Sequence, residues 1–158
     1  MNKYLIDAYN VMHEWRSRCK VSCQLLDVRS FLDIISPFAD YRSEKIIVVF
    51  DGDHADAPSI KARYRNLEII FSTNEASADS VIEKIVQEKQ DSDSITVVTS
   101  DQIESDSAAS SGARIMSPLS LWEIIESSRK DLDNAITRTR RSSRKKGFPI
   151  GDMFEQNS

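Results

Sequence analysis

The chain has 158 residues, a length that fits one domain with a single hydrophobic core. Hydrophobic residues make up 40% and charged residues 29%, which is typical of a globular protein and excludes a disordered one. No apolar run approaches the roughly 20 residues that a membrane-spanning helix needs, and the N-terminal stretch is too short and polar for a signal peptide. Cys19 and Cys23 match neither a redox CxxC motif nor a paired zinc spacing, so we expect free thiols in a cytoplasmic protein without a membrane partner.

Charge is distributed unevenly along the chain. Six basic residues and no acid lie between positions 138 and 146, and removing those six charges from the net charge of −4 leaves −10 for the rest. An acidic body with a basic end favours a polyanion partner, although a solvated terminus would have the same composition. We expect one domain over residues 1–137 and a basic, flexible tail over residues 138–158. The six residues are Arg138, Arg140, Arg141, Arg144, Lys145 and Lys146.

Five short apolar runs along the chain predict strands. The second run, KIIVVF, is continuous and rich in β-branched residues, which is typical of a strand buried on both faces of a parallel sheet. The predicted strands are residues 3–7, 45–50, 67–71, 95–99 and 113–116.

Helical periodicity separates several of these strands. Leu25, Val28, Leu32 and Ile35 predict a helix over 24–35, which we expect Pro37 to end or kink. The stretch between the second and third strands is polar and predicts a loop with at most one short element.

Two further helices are predicted in the second half of the chain. Residues 78–90 have apolar side chains at i, i+3, i+4, i+7 and i+8, and Ser77 is a suitable N-cap. Ser117-Pro118 predicts the start of the last helix, which we expect to run into the basic segment before Gly147. Strands that alternate with helices indicate an α/β fold with a mainly parallel sheet and helices on both faces. Ligands of such folds bind at the carboxyl ends of the strands.

Aspartates occur at the predicted carboxyl ends of the strands, where ligands would bind. Asp7 ends the first strand, Asp51 follows the second and Asp101 follows the fourth, while Asp79 lies in the first turn of the helix that begins after Ser77. Each alone has a structural explanation, because aspartate is common in turns and favourable at helix starts. Together they predict four carboxylates at one edge of the sheet.

A group of carboxylates must protonate, separate or bind a cation, since two of them a few Å apart repel by roughly 4 kcal/mol at an effective dielectric constant of about 20. Oxygen ligands without histidine or cysteine favour Mg²⁺ or Mn²⁺. The chemistry expected is phosphodiester hydrolysis by a water that the carboxylate-bound ion activates. Asn10 and Ser100 are candidates to orient the carboxylates or the water, and Glu75 is a candidate outer-shell residue. Local capping would explain Asn10 and Ser100 equally well.

Four strings occur in register along the chain: LIDAYNVMHEW, VVFDG (48–52), EASADSVIEKIV (75–86) and VVTSD (97–101). Together they resemble the NYN domain, and in particular its YacP-like branch within the PIN-like nuclease group. The likeness extends from residue 3 to about residue 140.

This resemblance implies a sheet of strand order 3-2-1-4-5 and a divalent-metal-dependent endoribonuclease. Matched motif by motif, it implies that Asp7, Asn10, Asp51, Asp79 and Asp101 are catalytic and that the four aspartates bind the metal. One departure is visible, because the family usually has Asp-Gly-Tyr-Asn where this chain has Ala8 as the second residue. A methyl group there is compatible unless the backbone has a positive φ.

A nuclease must also bind a polyanion. We expect RNA contacts from Lys61, Arg63 and Arg65 in the loop after Asp51, from base stacking on Tyr64, and from the basic tail. The partners expected are mRNA or another structured RNA, and the ribosome.

Two alternatives remain open. The same fold could be a catalytically weak or inactive module that binds RNA or the ribosome. A small-molecule phosphatase is disfavoured, because the DxD element expected after the first strand is missing: Ala8 and Tyr9 follow Asp7.

Overall fold

In the part of the chain that the structure describes, five parallel strands form one sheet. Numbered along the chain, they lie in the order 3-2-1-4-5, which confirms the predicted α/β class and the implied strand order. The computed structural model describes residues 2–18, 26–73, 75–89 and 94–145. β1 lies between β2 and β4, and its Leu5 is in register with Ile47 on one side and Val97 on the other. The strands are β1 (Asn2–Asp7), β2 (Lys45–Phe50), β3 (Glu68–Phe71), β4 (Ser94–Val98) and β5 (Arg114–Met116).

In the described ranges, six helices connect or follow these strands. They are α1 (Ala8–Arg18), α2 (Val28–Arg42), α3 (Ala57–Arg63), α4 (Ala78–Gln87), α5 (Gln102–Ser110) and α6 (Pro118–Lys145). The predicted helix at 78–90 and the helix start at Ser117-Pro118 are confirmed, with α4 ending three residues earlier than expected.

Side chains alternate between the two faces of the sheet, as the pleat of a strand requires. Leu5, Val49 and Val97 face the side that α4 and α5 cover, where they pack with Ile82 and Ala108. On the opposite face, aromatic rings join the sheet to α1 and α2. Phe50 contacts Phe31, which contacts Trp15, and Tyr4 contacts Phe38.

The helix around Pro37 differs from the prediction. α2 begins at Val28 rather than residue 24 and continues to Arg42, so Pro37 lies inside it and does not end it. Asp27 caps its start, with its side chain accepting a hydrogen bond from Ser30 N–H. A proline removes the N–H that would bind the carbonyl of Asp33. Both Pro37 and Asp33 are exposed, so water can satisfy that carbonyl.

Two helices, α1 and α5, are missing from the sequence prediction. α5 lacks an apolar stripe, since its buried residues are Glu104 and Ala108 and its Ile103 is 83% exposed. α3 is the short element expected in the polar stretch.

The described chain divides into two compact units after Ile124. The first contains the sheet and the beginning of α6, and the described part of the second is the remainder of that helix. Residues 129–142 of α6 are exposed. α6 continues to Lys145, so the last helix runs into the basic segment, as the sequence predicts. The domain boundary at 137/138 stays a prediction, and Cys19, Cys23 and residues 146–158 lie outside the described residues.

Within the described ranges, no helix combines the length and the apolar character that crossing a membrane requires.

Candidate active site

The carboxyl ends of the strands form the edge at which the sequence predicts a site. Asp7 is the last residue of β1 and Asp51 directly follows β2. Asp101 is the third residue after β4. β1 pairs with β2 on one side and with β4 on the other, so the strand order reverses at β1. Open α/β sheets bind their ligands at such a reversal.

Three carboxyl groups come together at this edge. Asp7, Asp79 and Glu104 each offer one oxygen atom, and these oxygens lie within 4.8 Å of one another. β1 supplies Asp7, the first turn of α4 supplies Asp79, and the first turn of α5 supplies Glu104. We call these three residues the carboxylate cluster. It contains two residues that the sequence predicts and one that it does not.

Glu104 is the residue that sequence reasoning misses. It is only 6% exposed, and it lies on a helix that no hydrophobic pattern indicates. A signal nevertheless exists, because Asp101 and Glu104 have the spacing of a capping box, which marks a helix start. In the structure Asp101 Oδ1 accepts hydrogen bonds from the N–H groups of Ile103 and Glu104, as such a cap requires.

One oxygen of Glu104 has a hydrogen-bond donor and the other does not. The Thr99 hydroxyl donates to Oε2 at 3.2 Å and itself accepts from Asp101 N–H at 3.1 Å. Among the described residues, Oε1 is buried and receives no hydrogen bond. A buried carboxylate oxygen without a donor is unfavourable, so this group requires either a proton or a cation.

The acid–base properties of the cluster reflect this confinement. Burial raises the pKa of the Glu104 carboxyl to about 9, and the hydrogen bond to Asp7 and the charges of Asp7 and Asp79 add to the rise. Burial also raises the pKa of Asp7, although the hydrogen bond from Glu104 and the N–H of Asn10 oppose that rise. At neutral pH without a cation, the cluster therefore holds a proton on Glu104.

The cluster fits a divalent cation. Its donors are carboxylate oxygens alone, which suit Mg²⁺ or Mn²⁺ better than zinc. A cation would remove the repulsion among the three carboxylates and satisfy the buried oxygen of Glu104. Asp7, Asp79 and Glu104 are the residues that would hold it.

Asp51 is outside this cluster and holds the start of α4. Its Oδ1 accepts hydrogen bonds from the Ser72 hydroxyl at 3.1 Å and from Ala78 N–H at 3.2 Å. Gly52 N–H donates to the same Ser72 hydroxyl, with a φ of +92° that favours glycine. These contacts fix the turn at which α4 presents Asp79.

Asp101 holds the first turn of α5, much as Asp51 holds that of α4, whose own N-cap is Ser77. It is the N-cap of α5 and so positions the turn that carries Glu104. Asn10 holds the loop just before it, because Asn10 Oδ1 accepts hydrogen bonds from both Ser100 N–H and the Ser100 hydroxyl. Direct metal binding by Asp51 and Asp101 stays a prediction.

Ala8 is compatible with this arrangement. It is fully buried at the start of α1, and Ser43 is the one non-glycine residue with a positive φ in the described part of the chain. The exchange of glycine for alanine therefore strains no backbone at position 8.

The residues after Asp51 that are predicted to contact RNA do not lie at the strand carboxyl ends. Tyr64 is 4% exposed, its hydroxyl donates to Asp33 at 2.7 Å, and Arg63 lies over its ring. The ring of Tyr64 therefore offers no free face on which a base could stack. Lys61, Arg63 and Arg65 are exposed but lead into the start of β3, at the edge of the sheet opposite the strand carboxyl ends.

The remaining predicted residues differ in how far they are described. Glu75 is exposed and is not a member of the carboxylate cluster. Arg138, Arg140 and Arg141 are exposed on α6. Arg144 and Lys145 belong to the same helix, but their side chains, like Lys146, lie outside the described residues.

An exposed tyrosine lies two residues after Asp7. Tyr9 is 41% exposed, and its ring meets Phe50 edge-on with 5.4 Å between ring centroids. Phe50 in turn stacks on Phe71 at 5.1 Å. The ring of Tyr9 is thus held in place while part of it faces solvent.

Comparison with known proteins gives the same assignment as the sequence strings. The family model described as "YacP-like NYN domain" matches residues 4–151. The uncharacterized protein YacP of Bacillus subtilis (strain 168) is 28% identical over 148 residues, which cover 87% of this chain and 83% of that protein.

Solved structures share the fold. The crystal structure of Rae1 (YacP) from Bacillus subtilis is similar over 99% of this chain and 92% of that chain, with a TM-score of 0.72 and 22% identity. A mutant of that protein is similar over 87% of this chain and 82% of its own, with a TM-score of 0.68 and 24% identity.

Proposed function

Because the chain belongs to the YacP-like NYN domain family, we propose that it is a divalent-metal-dependent endoribonuclease that hydrolyses RNA phosphodiester bonds. The observation that carries this proposal is the carboxylate cluster, in which three acidic oxygens lie within 4.8 Å of one another at the strand carboxyl ends. A fold needs no such arrangement for stability, since like charges in partial burial repel one another.

The residues of the cluster would act together as ligands of one ion. Asp7, Asp79 and Glu104 would hold Mg²⁺ or Mn²⁺. When bound, the ion supplies positive charge to a phosphate oxygen and lowers the pKa of an attacking water. Glu104 gives up its proton when the ion binds, so ion binding should be favoured by rising pH.

Neighbouring residues orient the cluster. Thr99 holds one oxygen of Glu104 through its hydroxyl. Asp51 and Asp101 hold the first turns of α4 and α5, and Asn10 ties α1 to the loop before Asp101. These contacts connect the three chain segments on which the cluster depends, so they limit changes in its geometry when RNA binds.

RNA binding would use groups outside the cluster. Tyr9 offers a fixed, partly exposed ring near Asp7, suitable for stacking on an unpaired base. The arginines of α6 would add sequence-independent attraction to phosphates. The ribosome stays a predicted partner, and mRNA or another structured RNA stays the predicted substrate.

The decisive experiment is cleavage of a labelled RNA with Mg²⁺, with Mn²⁺ and with EDTA. We expect cleavage only with a divalent ion, and a loss of roughly 100-fold or more in Asp7→Asn, Asp79→Asn and Glu104→Gln, because each change removes a charged ligand. Asp106→Asn is the matched control, since Asp106 is exposed on the same helix as Glu104.

Two outcomes would count against the proposal. Cleavage in EDTA would exclude the metal mechanism. RNA binding without cleavage under any ion would instead identify a binding module of the same fold.

A further inference from the structure

A cleft opens between α4 and α5 beside the carboxylate cluster. It has a volume of about 120 Å³, and two cluster members, Asp79 and Glu104, line one part of it. Since a buried water needs roughly 10–15 Å³, the cleft has room for roughly eight to twelve non-hydrogen atoms. That volume suits one flat ring system rather than a whole nucleotide.

The walls of this cleft are of two kinds. Ile82, Ile103 and Ala108 form an apolar surface, and Glu83 and Ser107 add polar groups. Ile103 is 83% exposed although it lies in the first turn of α5, immediately before Glu104. An isoleucine so exposed at the mouth of a cleft is available to cover a ligand's apolar face.

The charges on the walls restrict what can bind. The carboxylates repel phosphate, whereas a neutral ring with N–H donors gains hydrogen bonds from them. Glu83 is exposed, and its Oε1 accepts one hydrogen bond from Gln87 Nε2 at 3.1 Å. A carboxylate has about four acceptor positions, so Glu83 keeps capacity for a ligand.

We propose that the cleft between α4 and α5 binds a guanine base, with Glu83 accepting hydrogen bonds from its ring N–H and exocyclic amino group. This inference rests on the proposed function for its biological setting, in which the guanine belongs to the RNA that is cleaved. Glu83 is then a specificity-determining residue of the nuclease.

Guanine fits better than the other three bases because of its hydrogen-bonding edge. Its N1–H and N2 amino group are adjacent donors, which both oxygens of one carboxylate can accept together. Adenine and cytosine place a ring acceptor beside their amino group, and uracil places carbonyl oxygens on both sides of its N–H. A carboxylate repels each of those acceptors.

Nucleosides test the cleft without any need for catalysis. The full chain, with labelled isoleucine methyl groups and in EDTA, is titrated with guanosine, inosine, adenosine, cytidine and uridine. We expect guanosine to shift the methyl signals of Ile82 and Ile103 and to bind at least about fivefold more tightly than the others, the discrimination typical of a bidentate contact to a base. Inosine lacks the amino group and should bind more weakly than guanosine.

A pair of variants assigns the preference to Glu83. Glu83→Gln should abolish the preference for guanosine, whereas Glu88→Gln should retain it, because Glu88 is exposed at the end of α4 and does not line the cleft. Equal responses to all nucleosides, no response at Ile103, or an unchanged preference in Glu83→Gln would each overturn the inference.

Failure of this inference differs from failure of the proposed function. The nucleosides contain no phosphodiester bond, so a guanosine response remains measurable in a chain that cleaves nothing. Cleavage of RNA without an Ile103 response would refute the guanine site alone.

Discussion

Glu104 makes the stability of the ion-free protein depend on pH. Folded, its carboxyl keeps a proton up to a pKa of about 9, whereas its ordinary value is 4.5. Between these values the folded state binds more protons than the unfolded chain, so the free energy of unfolding decreases as pH rises. We expect the Tm in EDTA to fall across this window, and to fall less in Glu104→Gln, whose side chain does not titrate. Thermal unfolding at several pH values measures both.

The same variant, Glu104→Gln, should also show how the Glu104 carboxylate affects stability without ions and how it affects ion binding. At about pH 8 in EDTA, Glu104→Gln should unfold roughly 2–4 °C above wild type if it gains about 1 kcal/mol. Mg²⁺ or Mn²⁺ should raise the Tm of wild type more than that of the variant. A wild-type Tm independent of both pH and divalent ions would contradict the assignment of Glu104 to the cluster.

Tyr9 allows a test of RNA contact at a single residue. Stacking on one base contributes about 1–3 kcal/mol, so Tyr9→Ala should weaken RNA binding by roughly fivefold or more, while Tyr9→Phe should leave it unchanged. Tyr41 provides the control, because it is 44% exposed on α2 rather than next to Asp7. Equal loss in Tyr9→Ala and Tyr41→Ala, measured by fluorescence anisotropy, would refute a specific role for Tyr9.

Among the helices, α4 and α5 each have a first turn held by an aspartate that follows a strand. Asp51 accepts a hydrogen bond from the first residue of α4, and Asp101 caps α5. If their function is to position Asp79 and Glu104, asparagine should substitute for both, because its side-chain oxygen can accept the same backbone hydrogen bonds. Asp51→Asn and Asp101→Asn should then retain much of the cleavage that Asp51→Ala and Asp101→Ala lose.

Direct metal binding predicts the opposite result. If Asp51 and Asp101 bind the metal, their asparagine variants should lose as much cleavage activity as Asp7→Asn does. Comparing the alanine and asparagine variants in the same assay, with Tm measured for each, therefore decides between the two roles. Asp101→Ala should also lose about 0.5–2 kcal/mol of stability, as expected for a removed N-cap.

Elements also differ in how well their sequences predict them. α4 combines an N-cap with an apolar stripe, and both signals are local in the sequence. α5 has a cap but no stripe, because the side that packs on the sheet is Glu104 and Ala108. Periodicity therefore detects the helix that carries Asp79 and misses the one that carries Glu104.

At the scale of the whole molecule, the uneven charge of the chain predicts a strong salt dependence of RNA binding. Each phosphate neutralised on a single strand contributes about 0.7 to the slope of log K against log salt. Replacing Arg138, Arg140 and Arg141 by glutamine keeps good helix formers in α6 and should reduce that slope by up to about 2.

A second triple variant serves as the comparison. Lys61, Arg63 and Arg65 carry the same charge but lead into β3 at the edge opposite the strand carboxyl ends, and Arg63 already pairs with Asp33 at 3.8 Å. Their replacement by glutamine should change the slope less. A larger effect from this triple than from the α6 triple would reverse the assignment of the RNA-binding surface.

Local sequence patterns are sufficient to predict the strands, the order of the motifs and the edge of the sheet where the site lies. Those features depend on continuous apolar runs such as residues 45–50 and on acids placed directly after them, and such patterns are local. The family strings added the strand order, which the structure confirms. Asp7 and Asp79 could therefore be named before any coordinates.

Which acids come together depends on the packing of distant segments, which local patterns do not show. Glu104 joins Asp7 and Asp79, whereas Asp51 turns to Ala78 N–H, a partner 27 residues away. Tyr64, in a polar stretch, proves to be buried against Asp33 of α2. The physical reason is the same in each case, because the groups that surround each side chain come from segments that are distant in sequence. No local pattern of residue types records where such partners lie.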